Sequence, residues 1–210
     1  MVSVTINERS EHQPIKSFRL RCHESHDNSM FEYLVSTLLT AATERGVKHL
    51  DIHMYDTLKS SVNSCVFCSI NLVVLKLKGV SVNHFIPANL PSLRTLHLNR
   101  VQFIDDGQIV EILNACPVLE DLEMKDISIT FWSDESDEDV KKLTNLIRAD
   151  LTNVSRYGVY LDVLSNVEFL RLESMRICSS SSLNNQERME MMKELLALPR
   201  ISVTCGIYFE

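Results

Sequence analysis

The chain has 210 residues and a formal net charge of -7; 45% of its residues are hydrophobic and 23% charged. That is enough apolar material for one domain or one short solenoid, and a composition that disfavours wholesale disorder. The acidic balance argues against general affinity for nucleic acid or an anionic membrane, whose phosphates need clustered Lys and Arg.

No segment approaches the apolar length that spans a bilayer. The opening MVSVTINERSEHQP is polar and mixed in charge, unlike a secretory signal. The six cysteines are therefore expected as free thiols in a reducing compartment, the cytoplasm or nucleus. Five glycines are few, which disfavours phosphate-cradling loops.

Taken in order, residues 1–14 form a polar N-terminal segment. The first repeat-like strand is IKSFRLRC, with Ile15, Phe18 and Leu20 at apolar positions. A helix is predicted from Met30 to Glu44, with Asp27, Asn28 or Ser29 as its cap. Phe31, Leu34, Val35, Leu38, Leu39 and Ala42 recur at three- and four-residue spacings and make its apolar face. Gly46 lies just past its end, where a left-handed stop suits Gly. VKHLDIHM is a second strand, on Val47, Leu50 and Ile52. The stretch that follows is poorly patterned, and Val62, Val66, Phe67 and Ile70 are expected to tuck it against the core.

From Leu72 to Met124 the pattern L-x-x-L-x-L/M occurs three times. It falls on Leu72, Leu75 and Leu77, on Leu93, Leu96 and Leu98, and on Leu119, Leu122 and Met124. The link SVNHFIPANLPS is too short for a full helix, and Pro87 and Pro91 suit an extended crossing. Asp105 and Asp106 are candidate caps for a helix from Gln108 to Ala115, closed by Pro117. After the acid-rich loop WSDESDEDVKK come two weaker strands. LIRADL has Ala149 in the central leucine's place, and VEFLRLESM carries Val167, Leu170 and Leu172. SSSSLNNQ then leads to a last helix from about Glu187 to Leu198, ended by Pro199, and ISVTCGIYF reads as a final strand.

The leading pattern residues are Ile15, Val47, Leu72, Leu93, Leu119, Leu146 and Val167. Their spacing is irregular and longest where a whole helix intervenes, and most intervals fall within the ~20–29 residues of a leucine-rich repeat. Seven repeats over 15–178 predict an α/β solenoid with a curved parallel sheet and irregular convex helices and turns. Residues 179–210 complete or cap it.

Alternation decides which side chains face outward on the concave side. The candidate protein-binding residues there are Arg19, Arg21, Asp51, His53, Lys76, Lys78, His97, Asn99, Glu123 and Lys125. Lys76 and Lys78 beside His97 and Asn99 suit an acidic partner. Chemistry has little support. Cys65-Val-Phe-Cys68 is a lone C-x-x-C without the four ligands of tetrahedral zinc, and is read as a buried thiol pair. Cys116 is read as a small buried residue. His49, His53 and His97 have no partnered nucleophile signature. Met189, Met191 and Met192 read as packing, and Ser133 and Ser136 sit in a solvated acidic loop. No catalytic, cofactor or metal site is expected.

At IKSFRLRC, LLTAATERGVKHLDI, NLPSLRTLHLNRV and ILNACPVLEDLEM the sequence resembles the plant F-box/leucine-rich-repeat proteins, including the FBD-containing type. Cys116-Pro117-Val118-Leu119-Glu120-Asp121-Leu122 is the most specific part, since generic leucine repeats do not require Cys-Pro before the strand. The resemblance implies the substrate-recognition half of an SCF-type ubiquitin ligase adaptor, holding a protein target on the concave face. A Skp-family adaptor and a cullin follow only if an F-box exists outside this chain, because no F-box-like block precedes Ile15. The alternative is a stand-alone scaffold or decoy without the ligase link.

Overall fold

A computed structural model of the chain describes residues 2–7, 15–22, 29–55, 61–83, 87–131, 141, 143–154, 164, 167–173 and 193. Eight strands form one sheet in chain order: β1 (Val2–Asn7), β2 (Ser17–Cys22), β3 (His49–His53), β4 (Val74–Val82), β5 (Thr95–Asp105), β6 (Asp121–Phe131), β7 (Arg148–Val154) and β8 (Phe169–Glu173). β2 to β8 are all parallel. Two helices, α1 (Ser29–Glu44) and α2 (Gly107–Asn114), lie in the crossovers, as an α/β leucine-rich-repeat solenoid requires.

The leucine ladder is in register from end to end. Phe18, Leu50, Leu75, Leu96, Leu122, Ala149 and Leu170 pair rung on rung, as do Leu20, Ile52, Leu77, Leu98, Met124, Leu151 and Leu172. All are at most 3% exposed. Each coil hides the apolar side chains its neighbour would leave wet, and this stacking, not any one coil, makes the core.

The turn into each strand explains the Cys-Pro signature. Leu93 N–H donates to Leu90 C=O, Leu119 to Cys116, Leu146 to Leu143 and Val167 to Leu164, at 3.1–3.2 Å. Proline at the second position, Pro91 or Pro117, pre-sets that turn's backbone angle. The residue opening each turn is buried, so Cys116 fills the slot that Leu90, Leu143 and Leu164 fill elsewhere. The carbonyls of Lys48, Val73, Arg94, Glu120 and Ile147 then each accept two N–H groups from the next coil, which fixes where every parallel strand starts.

Past the ladder, strict alternation fails at one recurring position. Gly79, Arg100, Asp126 and Asn153 all have positive φ, between 50° and 67°. Each follows the in-register row Lys78, Asn99, Lys125 and Thr152. The left-handed residue shifts the phase by one, so Val80, Val101, Ile127 and Val154 return to the core, at most 5% exposed. Three of the four are not glycine; Asn153 Nδ2 donates to Asp126 Oδ1 at 2.7 Å, a polar contact between neighbouring left-handed positions.

α1 ends in a Schellman motif, with Val47 N–H on Ala42 C=O and Gly46 N–H on Thr43 C=O, Gly46 being left-handed at φ 63°. Val35, Leu39 and Ala42 form its buried stripe. Its Ser36 and Thr40 face the next coil, where Asn63 Nδ2 donates to both at 3.1 and 3.4 Å. At 100° per residue Leu34 then falls on the opposite flank. It is 51% exposed, contrary to its expected place on the apolar face. Ile70 is likewise exposed, at the second position of a turn that points outward, while Val62, Val66 and Phe67 are buried as expected. α2 is capped by Asp105: its Oδ1 accepts from Gln108 N–H at 3.0 Å, and Gln108 Oε1 accepts from Ile104 N–H at 2.9 Å.

Residues 2–7, within the polar N-terminal segment, form β1, which pairs antiparallel with β2. The acidic loop apart from Lys141, the last helix with its methionines apart from Lys193, and the final strand lie outside the described residues.

Candidate protein-binding face

The side of the sheet away from the helices carries three rows of side chains, set by register. The first runs Asn7, Ser17, His49, Val74, Thr95, Asp121, Arg148, Phe169. The second is Thr5, Arg19, Asp51, Lys76, His97, Glu123, Asp150, Arg171, and the third Ser3, Arg21, His53, Lys78, Asn99, Lys125, Thr152, Glu173. All ten candidate residues therefore stand on one open face, in the second and third rows. Neighbouring strands are about 4.8 Å apart, so side chains along a row reach one another.

Charge is unevenly distributed along the face. On β2 to β4, Arg19, Arg21, Lys76 and Lys78 face a single carboxylate, Asp51. Asp51 Oδ2 is held by Arg19 Nε at 2.8 Å and by Arg21 at 3.4 Å. Lys76 and Lys78 have no ion pair among the described residues, and Lys76 is exposed. Toward β6–β8 the charges satisfy one another. Lys125 Nζ lies 3.0 Å from Glu123 and 2.8 Å from Asp150, and Arg171 lies 3.8 Å from Asp150 and 2.6 Å from Glu173. Desolvation pulls the Lys125 pKa down, but hydrogen bonds to Asp150 and Glu123 and their charges outweigh it and hold the pKa above its ordinary value. Between the two regions, His97 Nε2 sits 3.3 Å from Asp121. Arg148 stacks over the Phe169 ring at 5.1 Å. Asn99 and His53 are half-buried in the third row.

A groove of about 500 Å³ opens at the basic end, lined by Thr5, Asn7, Arg19, His49, Asp51 and Lys76 among others. Thr5 and Asn7 come from β1, a strand where only a polar N-terminal segment is expected from the sequence. The available signal was the alternation of Val2, Val4 and Ile6 with Ser3, Thr5 and Asn7.

The C-x-x-C pair is not buried as expected. It occupies a single 3-10 turn, Ser64–Cys68, in which Val66 and Phe67 point inward. Residues three apart eclipse in such a turn, so Cys65 and Cys68 share the outer side. Cys65 is half-buried and Cys68 exposed, both free. Cys68 Sγ donates to Pro87 C=O at 3.0 Å. Cys116 is wholly buried, and desolvation pushes its pKa up to about 12. Among the described residues no group of three or more His, Cys, Asp or Glu can hold a metal ion, and no helix is long and apolar enough to cross a membrane.

A parallel sheet of stacked leucine rungs with one polar face open defines a leucine-rich-repeat protein. Residues 35–135 match the family model described as FBD-associated F-box protein At5g56370, LRR repeats. FBD-associated F-box protein At5g38590 of Arabidopsis thaliana is 34% identical over 152 residues, covering 68% of this chain and 34% of that protein. F-box/LRR-repeat protein At3g59190 of the same plant is 32% identical over 126 residues, covering 57% and 31%. F-box/LRR-repeat protein 13 is 26% identical over 158 residues, covering 74% and 34%. The repeats described here thus belong to the leucine-rich-repeat region of the plant F-box/LRR-repeat family, of the FBD-associated kind. The chain spans about a third of the length of these relatives. No solved structure matches it significantly.

Proposed function

We propose that this chain is the target-binding part of an F-box-type SCF ubiquitin ligase adaptor, acting in the cytoplasm or nucleus by holding a protein on its open face. It makes no bond itself. Its repeats present the target, and a Skp-family adaptor and cullin join through an F-box carried outside the repeats. The observation that carries the reading is the uneven charge of the face. Lys76 and Lys78 stand in register on one strand with no ion pair among the described residues, beside a groove, while the β6–β8 end is neutralised within itself. Cations left without a partner attract an acidic segment at little cost in broken pairs.

The test is affinity capture from plant cells with the wild-type chain and with Lys76→Glu/Lys78→Glu, followed by mass spectrometry. The reading expects acidic-segment proteins bound by the wild type to disappear from the double variant. It also expects capture to weaken as salt rises. Targets retained in full by the double variant would remove the basic end from the binding surface. Separately, failure of a longer form carrying an F-box to bring down Skp-family and cullin subunits would remove the ligase link and leave a stand-alone binding scaffold.

A further inference from the structure

β1 is the terminal strand of the sheet, and among the described residues no strand lies against its outer edge. Edge strands that stay single are usually blunted by a charge, a proline or a bulge. Val2–Asn7, VSVTIN, has no charge and no proline, and its six residues keep one unbroken register with β2. That register sets Val2, Val4 and Ile6 opposite Cys22, Leu20 and Phe18, on the core side of the sheet. Those three partners are at most 4% exposed, whereas Val2, Val4 and Ile6 are 41–45% exposed. Among the described residues the apolar layer thus continues one strand beyond its cover.

We propose that β1 pairs with β1 of a second copy of this chain, antiparallel about Val4, joining two sheets edge to edge. A two-fold axis normal to the sheet brings a strand against itself in antiparallel sense. Centred on Val4, the pairing sets Val4 against its mate and Val2 against Ile6, apolar to apolar on the core side. Ser3 and Thr5 meet on the other side, and no charge meets its like across the seam. Among the described residues the nearest like charges are on β2. Arg19 and Arg21 stand three strand spacings from their mates, about 14 Å, which exceeds the screening length of ~8 Å at physiological salt. β1 acts as a neutral spacer that makes two basic ends compatible. The seam is short, so the dimer depends on concentration and is not permanent. Both open faces then lie on the same side, with their basic ends adjacent, so that an acidic partner with two binding segments engages both.

Sedimentation velocity of the 210-residue chain across a concentration series tests this. The mass is expected to rise from 24.0 kDa toward twice that value. Val4→Lys places like charges directly opposite at the centre of the seam. It is expected to lower the association constant at least tenfold with unchanged circular dichroism, since Val4 is already solvent-reached. Hydrogen exchange on the wild type gives a second readout that needs no variant: β1 amides gain protection as concentration rises. A chain that stays at 24.0 kDa throughout the series, or a dimer in which β1 amides gain no protection, overturns the proposal; so does a dimer that a folded Val4→Lys forms equally well. Should Val4→Lys fail to fold, the exchange result decides alone. Target capture by a single copy is unaffected by either outcome.

Discussion

Gly79→Ala isolates the requirement at the phase-shifting position. Gly79 has φ +67°, and a methyl group built there would meet Met54 C=O oxygen at 2.2 Å and its carbon at 3.1 Å. Both are backbone atoms of the chain leaving β3, and Met54 N–H is itself bonded to Lys78 C=O at 2.8 Å. No rotamer relieves the contact, so β3 and β4 must separate by most of an ångström. The left-handed backbone costs a β-carbon about 1–2 kcal/mol. Forcing apart a packed layer adds about 1–3 kcal/mol. The sum, about 2–5 kcal/mol, is a large part of an ordinary domain's stability, and corresponds to a Tm lower by about 5–20 °C for a chain of this size. Gly46→Ala is the control. Its φ is +63°, but its nearest neighbour is the Asn71 side-chain amide at 3.2 Å, which can move. It is expected to lose only the backbone portion. Arg100, Asp126 and Asn153 occupy the equivalent place with side chains, so the conformation alone does not demand glycine. Thermal and urea denaturation of both variants are the assays. Equal losses for Gly79→Ala and Gly46→Ala would refute the argument from the Met54 carbonyl.

Other expectations are as direct. Leu96 is fully buried and sits between Leu75 and Leu122, so Leu96→Asp places an unpaired charge in the ladder. It should cost several kcal/mol, about 4 or more, and abolish cooperative unfolding. Its neighbour His97 gives up one solvent-reached contact to Asp121, so His97→Ala should cost under about 1 kcal/mol in the same urea titration. Lys125→Met leaves Glu123 and Asp150, about a quarter exposed, without their shared cation and should cost about 1–2 kcal/mol at pH 7. Because the folded Lys125 pKa is raised, its contribution is full below the unfolded lysine value of about 10.4 and fades as pH climbs through the folded one. The wild-type and variant curves should therefore stay parallel from neutral pH and converge above about pH 10. Alkylation at pH 8 followed by peptide mass spectrometry should label Cys68 in the native protein and leave Cys116 unlabelled until denaturation, since a buried thiol with pKa about 12 supplies almost no thiolate. Native-state labelling of Cys116 at the rate of Cys68 would mean that the turn before β6 opens.

The ladder was written in the sequence because it is a local property. Whether a residue on a strand faces water or core repeats every second position, so Leu75, Leu96 and Leu122 declare their side without reference to anything distant. The ten residues of the open face follow from the same alternation, the Gly46 stop after α1 from backbone preference, and the parallel order of β2 to β8 from the repeat, whose intervals leave room for a crossover between strands. Residues 2–7 carried the alternation too, but a single six-residue strand has no meaning until β2 offers its edge. Tertiary structure alone decided the rest. Leu34 and Ile70 are apolar in a correct local pattern, and their exposure depends on what the neighbouring coil places beside them. The phase shift at Gly79, Arg100, Asp126 and Asn153 reverses the inside–outside rule without a shared residue type to announce it. Pairing also depends on how coils stack: Lys125 finds Asp150 on the next coil, while Lys76, in register with Asp51, makes no ion pair among the described residues. A side chain's sign is fixed by its codon, but whether that charge is spent internally or left for a partner is fixed only when the coils stack.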